Sequence, residues 1–390
     1  MPTWPDDHPA ARRRTGGPPP GCPLPRSTDL VGIEFTGRYA TYEAADTWYP
    51  TWAADGHLYT PWTDGSVGGF ACGSKGFLAA TGHARIEGDD PLGLEVVALG
   101  SVFANPEPYE GRYPAGSLVV DGVWYYGTYC LDTRPGSRAF WDVMGPFVGF
   151  RTSHDLGRNW TDPPHTPAAP LFGESSRDGT PIRFGAPHVV DLGCELEHSP
   201  DGAAYLVAHG ATDPDAICGW VGGDHVSLAR VVPSQATMND PAAYTFHAGH
   251  DADGTPRWTD QLVDAVPLID WPGHTGTVTI TFWAARERFL MWVTAGGRGI
   301  DPMDSYLCEA EALTGPWRLV TYLPRFGPQA YFLNSPSRFL SDDGRTGWLL
   351  YSGNYTDHWG HPEDPDQVVT ADPPGTSYAM VLQEFVLLEA

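Results

Sequence analysis

Apolar and polar positions along the chain alternate in short runs, and the runs come in pairs around a turn. Five segments share the layout: DTWYPTWAADGHLYTPW from Asp46, GRYPAGSLVVDGVWYYGTY from Gly111, IRFGAPHVVDLG with AAYLVAHG from Ile182, HTGTVTITFWAARERFLMWV from His274, and YFLNSPSRFLSDDGRTGWLLYSGN from Tyr331. Each opens on polar or aromatic residues, continues into an apolar run, turns, and resumes with a second aromatic-rich run. That is a repeated β-hairpin, and no long stretch shows the 3.6-residue apolar period of a helix. A third strand and usually a fourth follow each hairpin: GHARIEG and LEVVALGSVF; FVGFRTS and NWTD; HVSLARVV and YTFHAGH; SYLCEAEALTG and PWRLVTYL. After the fifth hairpin only SYAMVLQEFVLLE remains, and the missing strand is available near the other end in STDLVGIEFTGRY.

The repeat predicts an all-β chain folded as a β-propeller of five four-stranded blades, with the N-terminal strand closing the last blade and removing two exposed edges. Residues 28–390 form this single domain and residues 1–27, MPTWPDDHPAARRRTGGPPPGCPLPRS, read as a disordered tail. The long interval between the third and fourth hairpins leaves six or seven blades open, and a β-sandwich is the alternative architecture.

Composition narrows the partners. A formal net charge of -25 and a pI near 4.7 argue against a nucleic-acid partner, whose phosphates require a basic surface. No stretch approaches 18 apolar residues, so no membrane-spanning helix is expected, and the Arg run at the N-terminus lacks the apolar segment of a secretion signal. A cytoplasmic location is the expectation. The six cysteines are scattered without metal spacing and read as free, mostly buried thiols. No cofactor is called for and no metal ligands are assigned; a calcium ion on the axis is compatible with the acidic composition, but no ligand spacing demands it.

In a propeller the innermost strand of each blade opens on the central axis, which turns the repeat into a site prediction. The openings supply Asp46, Trp48, Arg112, Tyr113, Arg183, His188, His274 and Asn334, and the ends of second strands add His209 and Tyr355. Aromatic faces with fixed donors and acceptors suit a sugar. Each residue also has an ordinary reading: Asp46 as a turn cap, Trp48 as core, His188 as a hydrogen-bonded core histidine.

Residues 153–160, SHDLGRNW, place Ser153, Asp155, Gly157 and Trp160 at the spacing of the Asp box that joins outer strands in sialidase-like propellers, with Asn159 where Thr or Ser usually stands. ADTWYPTWAADGHLY resembles the first-blade pattern of the five-bladed arabinanase and xylosidase clan, in which the Asp is base or nucleophile, and this implies that role for Asp46. APHVV is similar to the third-blade pattern whose Glu is the general acid, but Gly185 occupies the Glu position here. Glycoside hydrolysis needs a proton donor as well as a carboxylate, so either His188 donates or another acid reaches in. Arg183 and Arg112 would then orient hydroxyls or a carboxylate.

The expected function is hydrolysis of a glycosidic bond in an oligosaccharide, with uronate-containing glycans included among the substrates. The second reading is β-elimination, similar to rhamnosyl-glucuronate lyases, with Arg183, His188 and Tyr113 in the active roles. A third is a non-catalytic propeller that binds a partner.

Overall fold

Each of the five hairpins lies at the inner edge of its own sheet. The computed structural model describes residues 12–137, 141–213, 216–296, 303–326, 330–353 and 379–390. Blade I runs outward as Thr51–Trp52, Leu58–Trp62, Ala80–Glu87 and Glu95–Phe103, with a small hairpin, Gly65–Val67 and Phe70–Cys72, inserted after its second strand. Blade IV is the regular four-stranded unit Val278–Trp283, Arg288–Ala295, Asp304–Ala310 and Arg318–Leu323. In blade V, Ala330–Asn334, Thr346–Gly353 and Ala379–Glu389 are followed by Leu30–Thr41, which pairs antiparallel with the last strand from Leu30 opposite Glu389 to Thr41 opposite Val381.

Three blades depart from four strands, blade V by the short edge strand Arg13–Arg14. Blade II has three, Gly111–Val120, Val123–Asp132 and Val143–Ser153, and its expected fourth strand is reduced to a bridge between Thr152 and Thr161. The SHDLGRNW turn causes this by reversing the chain tightly. The Ser153 hydroxyl accepts the Gly157 amide (2.8 Å), while Asp155 accepts both the backbone amide (2.8 Å) and the side-chain amide (2.6 Å) of Asn159. Asn159 thus closes the turn in place of a hydroxyl residue. Trp160 is the peg, 5.1 Å from both the Trp124 and His83 rings.

Blade III is larger than expected. Gly185–Val189, Ala204–Gly210 and Gly223–Val231 continue into Thr245–His250 and Pro256–Thr259, and Ile269–Thr275 returns to pair with Gly223–Val231. The long interval that left a sixth blade open is therefore an extension of the third.

The N-terminal segment also differs from the expected tail, because from residue 12 it is fastened to the ring. Arg13–Arg14 pairs with Leu30–Thr41, Gly16 O accepts the Tyr322 amide (2.9 Å), and the buried Arg14 guanidinium lies over the Phe326 ring (5.7 Å). Neighbouring sheets pack face to face, so inner strands are buried on both faces. Gly111–Val120 is buried at nine successive positions. Trp124, Trp283 and Trp292 fill the spaces between sheets, where a large aromatic removes the most apolar area from water.

Candidate functional site

Three innermost strands share one irregularity at the head. Thr47, Ala186 and Phe332 hold φ of 68°, 46° and 58°, a left-handed region that residues with a Cβ seldom occupy. At each the ladder breaks. The register jumps between Gly185 and His188 and between Tyr331 and Asn334, and in blade I Asp46 pairs alone with Thr63 before the ladder resumes at Thr51. The residue before each hinge, Asp46, Gly185 or Tyr331, is left at the strand head. The residue two beyond it, Tyr49, His188 or Asn334, lines an axial cavity. That cavity has about 350 Å³ of empty volume, part of it continuous with solvent, and Ser117 and Thr279 complete its wall from blades II and IV.

Asp46 is fixed by its own backbone, its amide donating to Thr63 O (2.9 Å) and its carbonyl accepting from the Thr63 amide (3.0 Å). Its carboxylate accepts from the Thr47 hydroxyl (2.6 Å) and, at 3.4 Å, from the Tyr331 hydroxyl. Tyr49, Tyr113 and Tyr129 surround it. Burial raises all three phenols well above their ordinary pKa, and the Asp46 charge raises each of them further. They remain protonated at neutral pH and available as donors. A second carboxylate stands beside them. Asp64 accepts the Ser74 amide (2.6 Å) and hydroxyl (2.8 Å) and faces the Tyr113 hydroxyl. Trp141 meets the Tyr113 ring edge-on at 5.7 Å, and Trp220 meets Tyr331 at 5.5 Å.

Blade III carries no carboxylate on its own strand. A Cβ at Gly185 would stand 2.6 Å from Met144 Cγ, so Met144 fills the space a longer side chain there would need. A carboxyl reaches the same strand head from the preceding loop. Glu174 accepts the amides of Arg183 (2.7 Å) and Phe184 (3.1 Å), the two residues before Gly185. Burial pushes it up to about 7, against the lowering effect of both amides and of the Arg183 charge.

Burial favours the neutral form of His188, His209 and His225, and two of them donate to backbone carbonyls. The His188 ring packs against Tyr49 with centroids 3.8 Å apart and planes tilted by 35°, and burial, with the neighbouring His209, lowers its pKa to about 3. A ring that burial holds neutral does not support the expected role of His188 as general acid. His209 Nε2 donates to Gly219 O (2.7 Å) and His225 Nε2 to Arg183 O (3.0 Å). Burial lowers His209 and His83 from an ordinary 6.5 to about 4.

A stability prediction follows. Below pH 6.5 the unfolded chain binds protons that folded His83, His188 and His209 refuse, so their stabilising contribution is complete above 6.5 and is lost as pH falls toward 4. Each group adds a slope of up to about 1.4 kcal/mol per pH unit. Urea denaturation between pH 7 and 5 should be less steeply pH-dependent in His188→Gln than in the wild type; equal slopes would contradict the assignment.

The other expected site residues divide. Tyr113 lies in the phenol cluster around Asp46, and Asn334 braces two hinges by donating to Trp48 O (2.9 Å) and Phe332 O (3.1 Å). His274 is half-exposed and stacks on Trp271 at 4.5 Å. Trp48 is no sugar platform: it is fully buried, stacked with Trp62, and its indole N–H donates to Ala45 O (2.8 Å). Arg112 is likewise consumed, donating to the Thr128 hydroxyl (3.0 Å) and Asn105 O (3.2 Å) from a buried position. Arg183 is half-exposed, with its amide on Glu174 and its carbonyl on His225. Tyr355 lies outside the described residues. Asp64, Tyr129, Trp141, Glu174 and Trp220 were not anticipated; the aromatic in CGWVGG and the lone acid in LFGESS were the available signals. Among the described residues no three His, Cys, Asp or Glu side chains form a metal cage.

The sequence matches no family model, and no curated protein matches it. Solved structures do resemble the fold. A candidate hydrolase from Bacteroides ovatus ATCC 8483 superposes with a TM-score of 0.51 at 11% identity, over 91% of this chain and 90% of that one. Zg3597, a family 117 glycoside hydrolase of the marine bacterium Zobellia galactanivorans, gives 0.47 at 12% identity over 90% and 89%. The GH43_1 enzyme from Xanthomonas citri, also solved with xylotriose, gives 0.46 at 14% identity over 88% of each chain. At these identities the likeness is one of fold, and the chain is a five-bladed β-propeller.

Proposed function

We propose that the protein is a glycosidase acting on an oligosaccharide at the head of the propeller axis, with Asp46 as base or nucleophile. One observation carries this reading: the Asp46 carboxylate is held beside a left-handed hinge within a cluster of protonated tyrosines. Strained backbone concentrates where geometry is functional, and phenol donors next to a carboxylate can fix hydroxyl groups around it. The aromatic edges of Trp141 and Trp220 add apolar surface for sugar rings. Elimination is less well supported. It asks Arg183, His188 and Tyr113 to act together, yet the Tyr113 hydroxyl faces Asp64 and His188 packs against Tyr49.

The test is a panel of neutral and uronate-containing oligosaccharides, xylotriose among them, followed for reducing ends and for the ultraviolet absorbance of an unsaturated uronate. Release without absorbance is expected. Release with absorbance would replace hydrolysis by elimination, and silence across the panel would favour a binding role.

A further inference from the structure

We infer that Glu174 is the proton donor of this site, reaching from the loop before blade III into the place its innermost strand leaves without an acid. The inference rests on the glycosidase reading and deepens it. The geometry is specific: the carboxyl is clasped by the amides of Arg183 and Phe184, so it sits at the head of the strand whose next residue, Gly185, precedes the Ala186 hinge. In blade I the residue before the Thr47 hinge, Asp46, carries the carboxyl itself. Each of blades I and III thus has a carboxyl group at the head of its innermost strand. Trp220, which meets Tyr331 of the Asp46 cluster, lies two residues after Cys218, on whose thiol the Glu174 charge acts.

Two amide donors and the Arg183 guanidinium favour an ionised carboxylate, yet burial outweighs them, and the group titrates at about 7. The residue still keeps partial solvent contact. Such a carboxyl holds a proton at neutral pH and can give it up. In the proposed step the Glu174 proton passes to the glycosidic oxygen as its bond to the anomeric carbon breaks, and that oxygen leaves as a hydroxyl with the bonding pair. If Asp46 acts as base, it takes the proton of the attacking water and both carboxyl groups re-equilibrate with solvent; if Asp46 forms a glycosyl ester, water attacks that ester and gives its proton to the Glu174 carboxylate. The sum is one glycosidic bond and one water consumed.

The experiment compares Glu174→Gln with wild type on a cleaved oligosaccharide and on the 2,4-dinitrophenyl glycoside of the same sugar, whose leaving group departs without a proton. The inference expects kcat on the oligosaccharide to fall about 10²–10⁴-fold, the aryl glycoside to change only a few-fold, and the basic limb of the pH profile to disappear. Equal losses on both substrates with an unchanged limb would reduce Glu174 to a backbone clasp. Because the amide substitution sacrifices one backbone bond, the wild type is also titrated by NMR with carboxyl-labelled glutamate. A Glu174 titration near neutrality supports the inference, and one below pH 5 overturns it. Asp46→Asn separates the two ideas: loss on both substrates sustains the glycosidase reading whatever Glu174 does, while full activity in that variant, or a wild type silent on every substrate, removes that reading and the inference with it.

Discussion

Asp46→Asn is expected to lower kcat/KM on any cleaved glycoside by about 10²–10⁴-fold while leaving the fold intact. Asparagine is nearly isosteric and its one oxygen can still accept from the Thr47 hydroxyl, so only the long Tyr331 contact (3.4 Å) is given up and thermal unfolding should move little. The substitution carries a second signature that a merely inactive protein would lack. The Asp46 charge helps hold Tyr49, Tyr113 and Tyr129 protonated, so its removal should bring their ionisation to lower pH, visible as an earlier phenolate rise in the ultraviolet. Retained activity together with an unchanged phenol titration would mean that Asp46 neither reacts nor organises the cluster.

Trp124→Ala should be the most damaging change to stability among the residues described, at about 3–5 kcal/mol. The indole is fully buried and donates to the Ser117 hydroxyl (2.6 Å), which would be left without that donor. Its ring meets Tyr59 at 5.2 Å, Trp160 at 5.1 Å and Tyr126 at 6.1 Å, so one deletion empties the space in which the blade II turn is pegged. A Cβ added at Gly157 would lie only 3.0 Å from Trp124, which shows how closely the turn is drawn onto this ring. Urea unfolding should shift its midpoint at constant slope. A loss below about 1 kcal/mol would indicate that neighbouring rings collapse into the vacated volume.

Strand pairing was legible in the sequence because alternation and D-G turns are local signals, and each quoted hairpin lies where the pattern puts it. The roles of individual aromatics were not. Stacked sheets bury both faces of an inner strand, so Trp48 and Tyr49, adjacent in sequence, look alike although one is sealed between sheets and the other lines the axis. The hinges were hidden for another reason. Thr47, Ala186 and Phe332 are residue types that give no warning of positive φ, and only the tertiary ladder holds them there. The carboxyl at blade III was invisible because Glu174 meets Arg183 and Phe184 through a loop with no periodicity. The motif at 185–189 said only that an acid was missing from the strand itself.

Closing blade V with Leu30–Thr41 also sets an order of events during synthesis. This strand leaves the ribosome before any strand of blades I to IV, yet its partner, Ala379–Glu389, is made only after all four of them. Until then this twelve-residue strand has only the two-residue strand Arg13–Arg14 to pair with while local hairpins form behind it. Joining elements so distant in sequence is slow compared with hairpin formation, and an unpaired edge invites pairing with another chain. The ring should therefore assemble blade by blade and lock last, leaving ring closure as the step most exposed to aggregation and most dependent on the rate of translation.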